Sequence, residues 1–212
     1  MDLDKYKDFM KGTTTVGIVC SDGVVLGADS RATMDTFIAS SEARKVFKID
    51  NNLAMTVAGS VGDAQALVRI IKAQNEVYKM NEGRPLSPRS ANSLLSIILQ
   101  DNKMMPFYVQ LMVGGIDGDE IGLYTLDPLG GYTAESKVAA TGSGSPVALG
   151  YLETIYRKNI TTKEAAREAV KALTVAMKRD SATGDSITVV AITKEGFKEI
   201  SGKELDKVIA TK

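Results

Sequence analysis

The chain has 212 residues, 44% of them hydrophobic, so it can bury one substantial core but is short for two full domains. Acidic and basic residues balance at 26 each, which argues against a nucleic-acid-binding surface and favours protein or peptide as the partner. The chain contains no histidine, which excludes Ser-His-Asp and Cys-His catalysis and every histidine-containing metal site.

The chain shows no signal for export or membrane insertion. Residues 1–12 mix acidic and basic side chains and lack the apolar stretch of a secretory signal. No window approaches the ~20 apolar residues that span a bilayer. The single cysteine, Cys20, lies in an apolar run, which indicates an inert buried thiol in a reducing compartment. We therefore expect a cytoplasmic protein with no membrane partner.

Two β-hairpins are predicted at the start of the chain. Their strands are Thr14–Cys20 with Val24–Asp29, and Lys45–Ile49 with Leu53–Ala58. The first pair flanks Ser21-Asp22-Gly23, a hairpin signal, and the second flanks Asp50-Asn51-Asn52, whose side chains tolerate a positive φ. The fold therefore opens with antiparallel pairs.

Helical spacing begins after Gly59. Apolar residues recur at helical intervals from Ala64 to Tyr78, with Ser60 available as the N-cap, and again from Ala91 to Leu99. Gly83, Pro85 and Pro88 separate the two runs. Two helices are therefore predicted between the second hairpin and the next strands.

The second half of the chain repeats the sequence of strands followed by helices. Strands are predicted at Tyr108–Gly114, Ile121–Leu126, Lys137–Thr141, Ile187–Thr193 and Phe197–Ile200. A third helix is predicted at Pro146–Tyr156, and a fourth after Thr161, which forms a capping box with Glu164. Hairpins in place of alternating βα units favour two antiparallel sheets between helical layers over a parallel sheet.

The segment Gly12-Thr13-Thr14-Thr15 is the candidate for chemistry. A free N-terminal threonine carries a hydroxyl nucleophile and an α-amine with a pKa of about 8, so one residue can supply nucleophile and base. The amine exists only after the Gly12–Thr13 bond is cut, and the preceding glycine leaves its carbonyl open to attack by the Thr13 hydroxyl. Taken alone, this threonine run is more typical of a plain β-strand, because threonine-rich runs are ordinary β-formers.

Further blocks of sequence follow in a fixed order. They are Gly27-Ala28-Asp29-Ser30-Arg31-Ala32-Thr33, Ala43-Arg44-Lys45-Val46, Ala58-Gly59-Ser60-Val61-Gly62-Asp63, Ala140-Thr141-Gly142-Ser143-Gly144-Ser145, and Lys178-Arg179-Asp180-Ser181-Ala182-Thr183-Gly184-Asp185. Together with the threonine run, this series resembles the β subunits of archaeal proteasomes, in the N-terminal-nucleophile hydrolase family, from about Gly12 to Ile200. The resemblance implies an α+β fold, a four-layer α/β/β/α sandwich of two antiparallel sheets flanked by helices.

The resemblance also implies the catalytic residues. Thr13 would be the nucleophile beside Asp29 and Lys45, although an Asp–Lys pair can also be a purely structural ion pair. The sequence leaves open whether Lys45 or the α-amine takes the proton. Gly59 matches the position whose N–H faces the oxyanion, and alternatively serves a strand-to-helix turn. Residues that would surround the amine are Ser143, Asp180 and Thr183, the last replacing the serine usual in the family.

The resemblance places a substrate pocket next to Thr13. Its expected residues are Ala32, Thr33, Ala43, Val57 and Val61, with Thr33 on the rim that pairs with the substrate backbone. These residues are uncharged, which favours apolar side chains before the cut bond, although a packed sheet contains the same residue types.

The expected protein is a threonine endopeptidase that removes its own residues 1–12 and works as domain 13–212, without metal or cofactor. The resemblance implies heptameric β rings between α-subunit rings, four stacked rings in all, fed with unfolded polypeptide by an ATP-dependent unfoldase. Two alternatives remain. One is the simpler bacterial threonine protease of two rings, against which the segment Phe197–Lys212 argues, and the other is a non-catalytic ring subunit.

Overall fold

A computed structural model describes residues 12–34 and 36–200. The first half contains β1 (Thr14–Val19), β2 (Gly23–Asp29), β3 (Ala32–Met34), β4 (Phe37–Ser40), β5 (Val46–Asp50), β6 (Leu53–Gly59), α1 (Val61–Glu82) and α2 (Pro88–Asp101). The second half contains β7 (Val109–Asp117), β8 (Glu120–Leu126), β9 (Tyr132–Ala134), β10 (Val138–Gly142), α3 (Ser145–Ile155), α4 (Thr162–Met177), β11 (Ile187–Thr193) and β12 (Gly196–Ile200).

The strands form two five-stranded antiparallel sheets and one small hairpin. The first sheet has the order β10-β1-β2-β11-β12, and the second has the order β5-β6-β7-β8-β9. The hairpin of β3 and β4 stands apart from both sheets. In the first sheet, β1 lies between β10 and β2, with Thr14 opposite Gly142 and Thr15 opposite Ala28. The segment that carries Thr13 therefore leads directly into an interior strand.

Three apolar cores lie between the successive layers of helices and sheets. One core joins α3 and α4 to the first sheet, and another joins α1 and α2 to the second sheet. The third lies between the sheets and contains residues such as Leu26, Met112 and Leu123, all nearly inaccessible to solvent. This order of layers is the α/β/β/α sandwich, so the fold class expected from the resemblance is confirmed.

The helix starts follow the caps read from the sequence. The Ser60 side chain accepts a hydrogen bond from the amide of Asp63 at the start of α1. Thr161 and Glu164 form the full capping box at the start of α4. These bonds satisfy amide groups that the first turn of a helix leaves without a partner.

Several element bounds differ from the expectations. The hairpin of β3 and β4 and the three-residue strand β9 were not predicted, because they are short and their side chains are largely exposed. Strand β7 runs three residues further, to Asp117, and α3 begins at Ser145 and ends at Ile155. The proposed prefix and the final segment of the chain fall mainly in residues 1–11 and 201–212, outside the described residues.

Two expectations from the composition, about the cysteine and about membrane spans, can be compared with the described residues. Cys20 is buried, and burial raises the pKa of its thiol far above the usual range, which suits the inert role expected of it. Across residues 12–34 and 36–200, no helix is long and apolar enough to cross a membrane.

Candidate active site

Thr13 lies immediately before β1 and is 5% exposed. Its hydroxyl Oγ1 donates a hydrogen bond of 2.6 Å to the carbonyl oxygen of Gly12, so the hydroxyl lies beside the bond that joins the two residues. Gly12 has a φ of +112°, and a Cβ built on it would lie 2.4 Å from Oγ1 of Thr33. Only glycine fits this position without a shift of the surrounding residues.

Asp29, at the end of β2, is the anchor of the site. Its Oδ1 accepts hydrogen bonds from the amide of Thr14 and from Nζ of Lys45, both at 2.9 Å. Its Oδ2 accepts from the amides of Arg31 at 3.1 Å and Gly184 at 2.9 Å. One buried carboxylate thus joins the start of β1, the lysine and the loop before β11.

Lys45 brings a buried amine to the carbonyl oxygen of Gly12. Its Nζ donates to the carbonyl oxygens of Gly12 at 3.1 Å and Arg31 at 2.5 Å, in addition to its bond with Asp29. Burial lowers the pKa of the Lys45 amine, and the charge of Asp29 opposes that shift without cancelling it. The amine is therefore easier to deprotonate than that of an exposed lysine, and it is already positioned by three acceptors.

A chain of hydroxyl groups lies on the other side of Thr13. Both Ser143 and Thr183 donate to Oδ2 of Asp180, each at 2.5 Å. Because the Thr183 proton goes to Asp180, the 2.7 Å bond between Thr183 and Thr14 must be donated by the Thr14 hydroxyl. Oγ of Ser143 also lies 3.3 Å from the Gly12 amide nitrogen, which donates to it. The three predicted residues are therefore together and adjacent to the Gly12–Thr13 bond.

Gly59 ends β6 and faces the same cavity as Thr13. Its φ is +121°, and a Cβ at this position would lie 2.2 Å from the carbonyl oxygen of Tyr108. Both facts require glycine, because an L side chain rarely adopts this φ and has no space here. Gly59 therefore both ends β6 before the helix and lines the cavity beside Thr13, so its two expected roles are compatible.

A cavity of about 370 Å³ opens beside Thr13. It is lined by Gly12, Thr13, Ala32, Thr33, Ser40, Glu42, Ala43, Arg44, Lys45, Phe47, Val57, Gly59, Val61, Ala64 and Gln65. All five pocket residues named from the sequence belong to this lining. The lining also includes Glu42, Arg44 and Gln65, so the cavity is more polar than the five uncharged residues indicated.

Sequence reasoning missed Arg31 as part of the site. Its guanidinium forms two hydrogen bonds with the carboxylate of Asp185, of 3.0 and 3.3 Å, and a third with the carbonyl of Ser181. Its own backbone contacts both Asp29 and Lys45. Asp185 has a φ of +70°, and this ion pair helps hold that uncommon conformation. The sequence offers little indication of this role, because Arg31 contacts Asp29 and Lys45 through its main chain, which every residue type shares.

The arrangement suits acyl transfer by a hydroxyl nucleophile. It combines a buried hydroxyl next to a carbonyl, a lysine of lowered pKa fixed by a carboxylate, and a cavity for a side chain. In the described part of the chain, no group of acidic or cysteine side chains could hold a metal ion.

A family model and the similar curated proteins all point to the same family. Residues 9–192 match a family described as "Proteasome subunit". The chain is 48% identical over 211 residues to "Proteasome subunit beta" of Methanosarcina barkeri, an alignment covering 100% of this chain and 99% of that protein. It is 50% identical over 209 residues to the protein of the same name from Methanohalophilus mahii, with 99% and 98% covered. For that of Methanosarcina thermophila the identity is 49% over 205 residues, covering 97% and 96%.

Proposed function

The chain belongs to the proteasome subunit family, and from that premise we propose that it is the precursor of a catalytic β subunit of a 20S core particle, a threonine-type endopeptidase. The observation that carries the proposal is the hydrogen bond of 2.6 Å from the Thr13 hydroxyl to the Gly12 carbonyl, beside a buried Lys45–Asp29 pair. A threonine with a purely structural role would not require a buried lysine–aspartate pair beside its hydroxyl.

The first reaction is removal of residues 1–12. The Thr13 hydroxyl oxygen attacks the carbonyl carbon of Gly12, the Gly12–Thr13 C–N bond breaks, and the nitrogen of Thr13 takes a proton to become an amine. Water then hydrolyses the resulting ester and releases the prefix. The hydrogen bond from Nζ of Lys45 to the Gly12 carbonyl oxygen supports polarisation of the attacked group. Domain 13–212 remains as the working enzyme.

The second reaction is hydrolysis of peptide substrates. Thr13 attacks the substrate carbonyl to form an acyl-enzyme, and water activated by the free α-amine hydrolyses it. Asp29 holds Lys45, whose lowered pKa eases transfer of the hydroxyl proton. The amide of Gly59 would donate to the oxyanion.

The remaining polar residues would orient the new amine. Asp180 accepts from Ser143 and Thr183, and Ser143 contacts the amide of Gly12 that leaves with the prefix. After cleavage, this group of oxygen atoms lies beside the Thr13 amine. Thr183 retains the hydroxyl of the usual serine and adds a methyl group, so we expect activity.

The cavity beside Thr13 would take the substrate side chain before the cut bond. Small residues such as Ala32, Ala43 and Val57 leave its volume open. Val61, the first residue of α1, also lines the cavity. Thr33 would pair with the substrate backbone, since its hydroxyl has no hydrogen-bond partner among residues 12–34 and 36–200 and is buried against Gly12 in the uncut chain. Loss of the prefix would free this hydroxyl for a substrate.

We place the subunit in seven-membered β rings enclosed by α-subunit rings in the cytoplasm. An ATP-dependent unfoldase would deliver unfolded polypeptides, and no nucleic acid, membrane or cofactor takes part. Enclosure accounts for how a protease of broad specificity is tolerated by the cell.

The test is a fluorogenic assay with an apolar peptide on the full chain co-expressed with its α subunit. Thr13→Ala should abolish hydrolysis, whereas Thr133→Ala, at an exposed threonine of β9, should not change it. An assembled wild-type particle without activity would contradict the proposal and favour the scaffolding alternative.

A further inference from the structure

The space between the two sheets is filled mainly by apolar side chains, but one polar group interrupts it near Thr13. Its members are Thr15 on β1, Thr56 on β6, Gln110 on β7 and Thr141 on β10. The three threonines are at most 7% exposed. Burial of hydroxyl groups in an apolar layer is unfavourable unless each finds a partner, so the group has to be internally bonded.

The threonine hydroxyls connect the two sheets. Thr56, from the second sheet, donates a hydrogen bond of 3.1 Å to the hydroxyl of Thr15. Thr15 is bonded in turn to the hydroxyl of Thr141 at 2.6 Å, its partner across β1 and β10. Thr15 directly follows Thr14, whose amide donates to Asp29, and Thr14 directly follows Thr13. The link therefore reaches β1 two residues from the nucleophile.

Gln110 makes a second link between the sheets. Its Oε1 accepts a hydrogen bond of 2.9 Å from the amide of Gly142. Gly142 has a φ of +89°, and a Cβ at this position would lie 2.1 Å from the carbonyl oxygen of Thr13. The residue after Gly142 is Ser143, which bonds to Asp180. Gln110 thus fixes the close approach of two main chains at the site.

We propose that Thr56 and Gln110 are positioning residues, which set the place of Thr13 and Ser143 from the opposite sheet through Thr15 and Gly142. The inference rests on the proposed function for its catalytic consequence. Neither side chain lines the cavity beside Thr13, so neither contacts a substrate bound there. Their effect is on the rate of the chemical step, because small displacements of a nucleophile slow reaction more than they weaken binding.

The test uses paired variants in the full chain co-expressed with its α subunit. Thr56→Val removes the hydroxyl and keeps the shape, whereas Thr56→Ser keeps the hydroxyl. Gln110→Met removes the acceptor and keeps the length, whereas Gln110→Glu keeps an acceptor. Ser96→Ala is the control, since it removes a buried hydrogen bond of 2.6 Å to the carbonyl of Gly130, away from the site.

We expect Thr56→Val and Gln110→Met to lower kcat about tenfold with KM changed less than about twofold. Thr56→Ser and Gln110→Glu should recover most of kcat, and Ser96→Ala should match the wild type. Crystal structures of the particles should show the bond from the Thr14 amide to Asp29 lengthened in Thr56→Val, and the bond from Ser143 to Asp180 lengthened in Gln110→Met. Equal kcat in all variants, or loss of kcat in Ser96→Ala as well, would overturn the inference.

The two proposals fail in different ways. A wild-type particle without activity contradicts the proposed function, and the crystal structures still decide whether Thr56 and Gln110 position the site. An active wild type whose Thr56→Val and Gln110→Met variants keep their kcat and their site geometry contradicts only the inference.

Discussion

Nζ of Lys45 lies 2.9 Å from Oδ1 of Asp29, with 7% of the lysine side chain and 0% of the aspartate side chain exposed. A buried pair of this kind can serve stability alone, and removal of one partner is costly in either case because the other charge is left unpaired. Loss of stability by itself therefore does not identify a catalytic role. Variants that remove one charge or both separate the two roles.

Asp29→Asn should destabilise the chain by about 3–5 kcal/mol, because Lys45 is left without a counter-charge. The double variant Asp29→Asn with Lys45→Met removes both charges and should recover most of that stability while remaining uncut and inactive. Thermal unfolding, intact mass and peptide hydrolysis measure the three properties. Recovery of activity together with stability would mean that the pair is structural.

The pH dependence of stability should reveal the lowered pKa of Lys45. The folded chain binds the proton of Lys45 less tightly than the unfolded chain, whose lysine has a pKa near 10.5. Stability contributed by this group therefore rises with pH from the folded pKa up to about 10.5.

The measurement is made in the Thr13→Ala background, in which we expect the chain to stay uncut. The melting temperature of the assembled particle is followed against pH, with the double variant lacking Asp29 and Lys45 as reference. We expect the melting temperature of the particle that keeps Asp29 and Lys45 to rise, relative to that of the double variant, as pH rises toward 10.5. A difference that shrinks over this range would show that the pKa is raised.

Gly59→Ala should abolish or strongly reduce activity, by at least about 100-fold in kcat. The added Cβ would approach the Tyr108 carbonyl oxygen to 2.2 Å at a φ of +121°, so the main chain that lines the cavity beside Thr13 must shift. Gly62→Ala is a matched control three residues later, where a Cβ meets nothing within 4 Å. We expect the control to keep its kcat and its stability within about 0.5 kcal/mol. A Gly59→Ala particle as active as the control would contradict the role of this residue.

Thr183 can be separated into its hydroxyl and its methyl group. Thr183→Ser keeps the bonds to Asp180 and Thr14 and should retain kcat within about threefold, at a cost of about 1 kcal/mol for the lost buried methyl. Thr183→Val keeps the shape and loses both bonds, so kcat should fall about tenfold or more. Kinetics and thermal unfolding of both particles provide the comparison. Higher activity in Thr183→Val than in Thr183→Ser would reverse this assignment.

Much of the fold could be predicted from local patterns. The turn at Asp22-Gly23 and the caps at Ser60 and Thr161 are encoded by a few adjacent residues, and the structure confirms them. The hairpin of β3 and β4 was missed because its apolar residues, such as Met34 and Phe37, point to solvent and show no buried face. Local sequence gives no signal for such a segment.

The chemistry of a threonine run after glycine suggested Thr13, but the rest of the candidate site was predictable only through the resemblance. Spacing alone does not indicate that Thr13, Asp29 and Lys45 meet, since they come from three different segments of the chain. Arg31 was missed because it acts partly through its main chain, and Gln110 because its contact with Gly142 crosses between two sheets. Contacts of this kind depend on how sheets stack, which single-sequence patterns do not specify.

The central claim is that Thr13 becomes the N-terminus by its own attack on Gly12. The most direct measurement is the intact mass and N-terminal sequence of the chain in assembled particles, compared between wild type and Thr13→Ala. We expect a wild-type chain that begins at Thr13 and a Thr13→Ala chain that keeps residues 1–12. Removal of the prefix from Thr13→Ala particles without any active β subunit, or its retention in assembled wild-type particles, would show that Thr13 does not cut the chain.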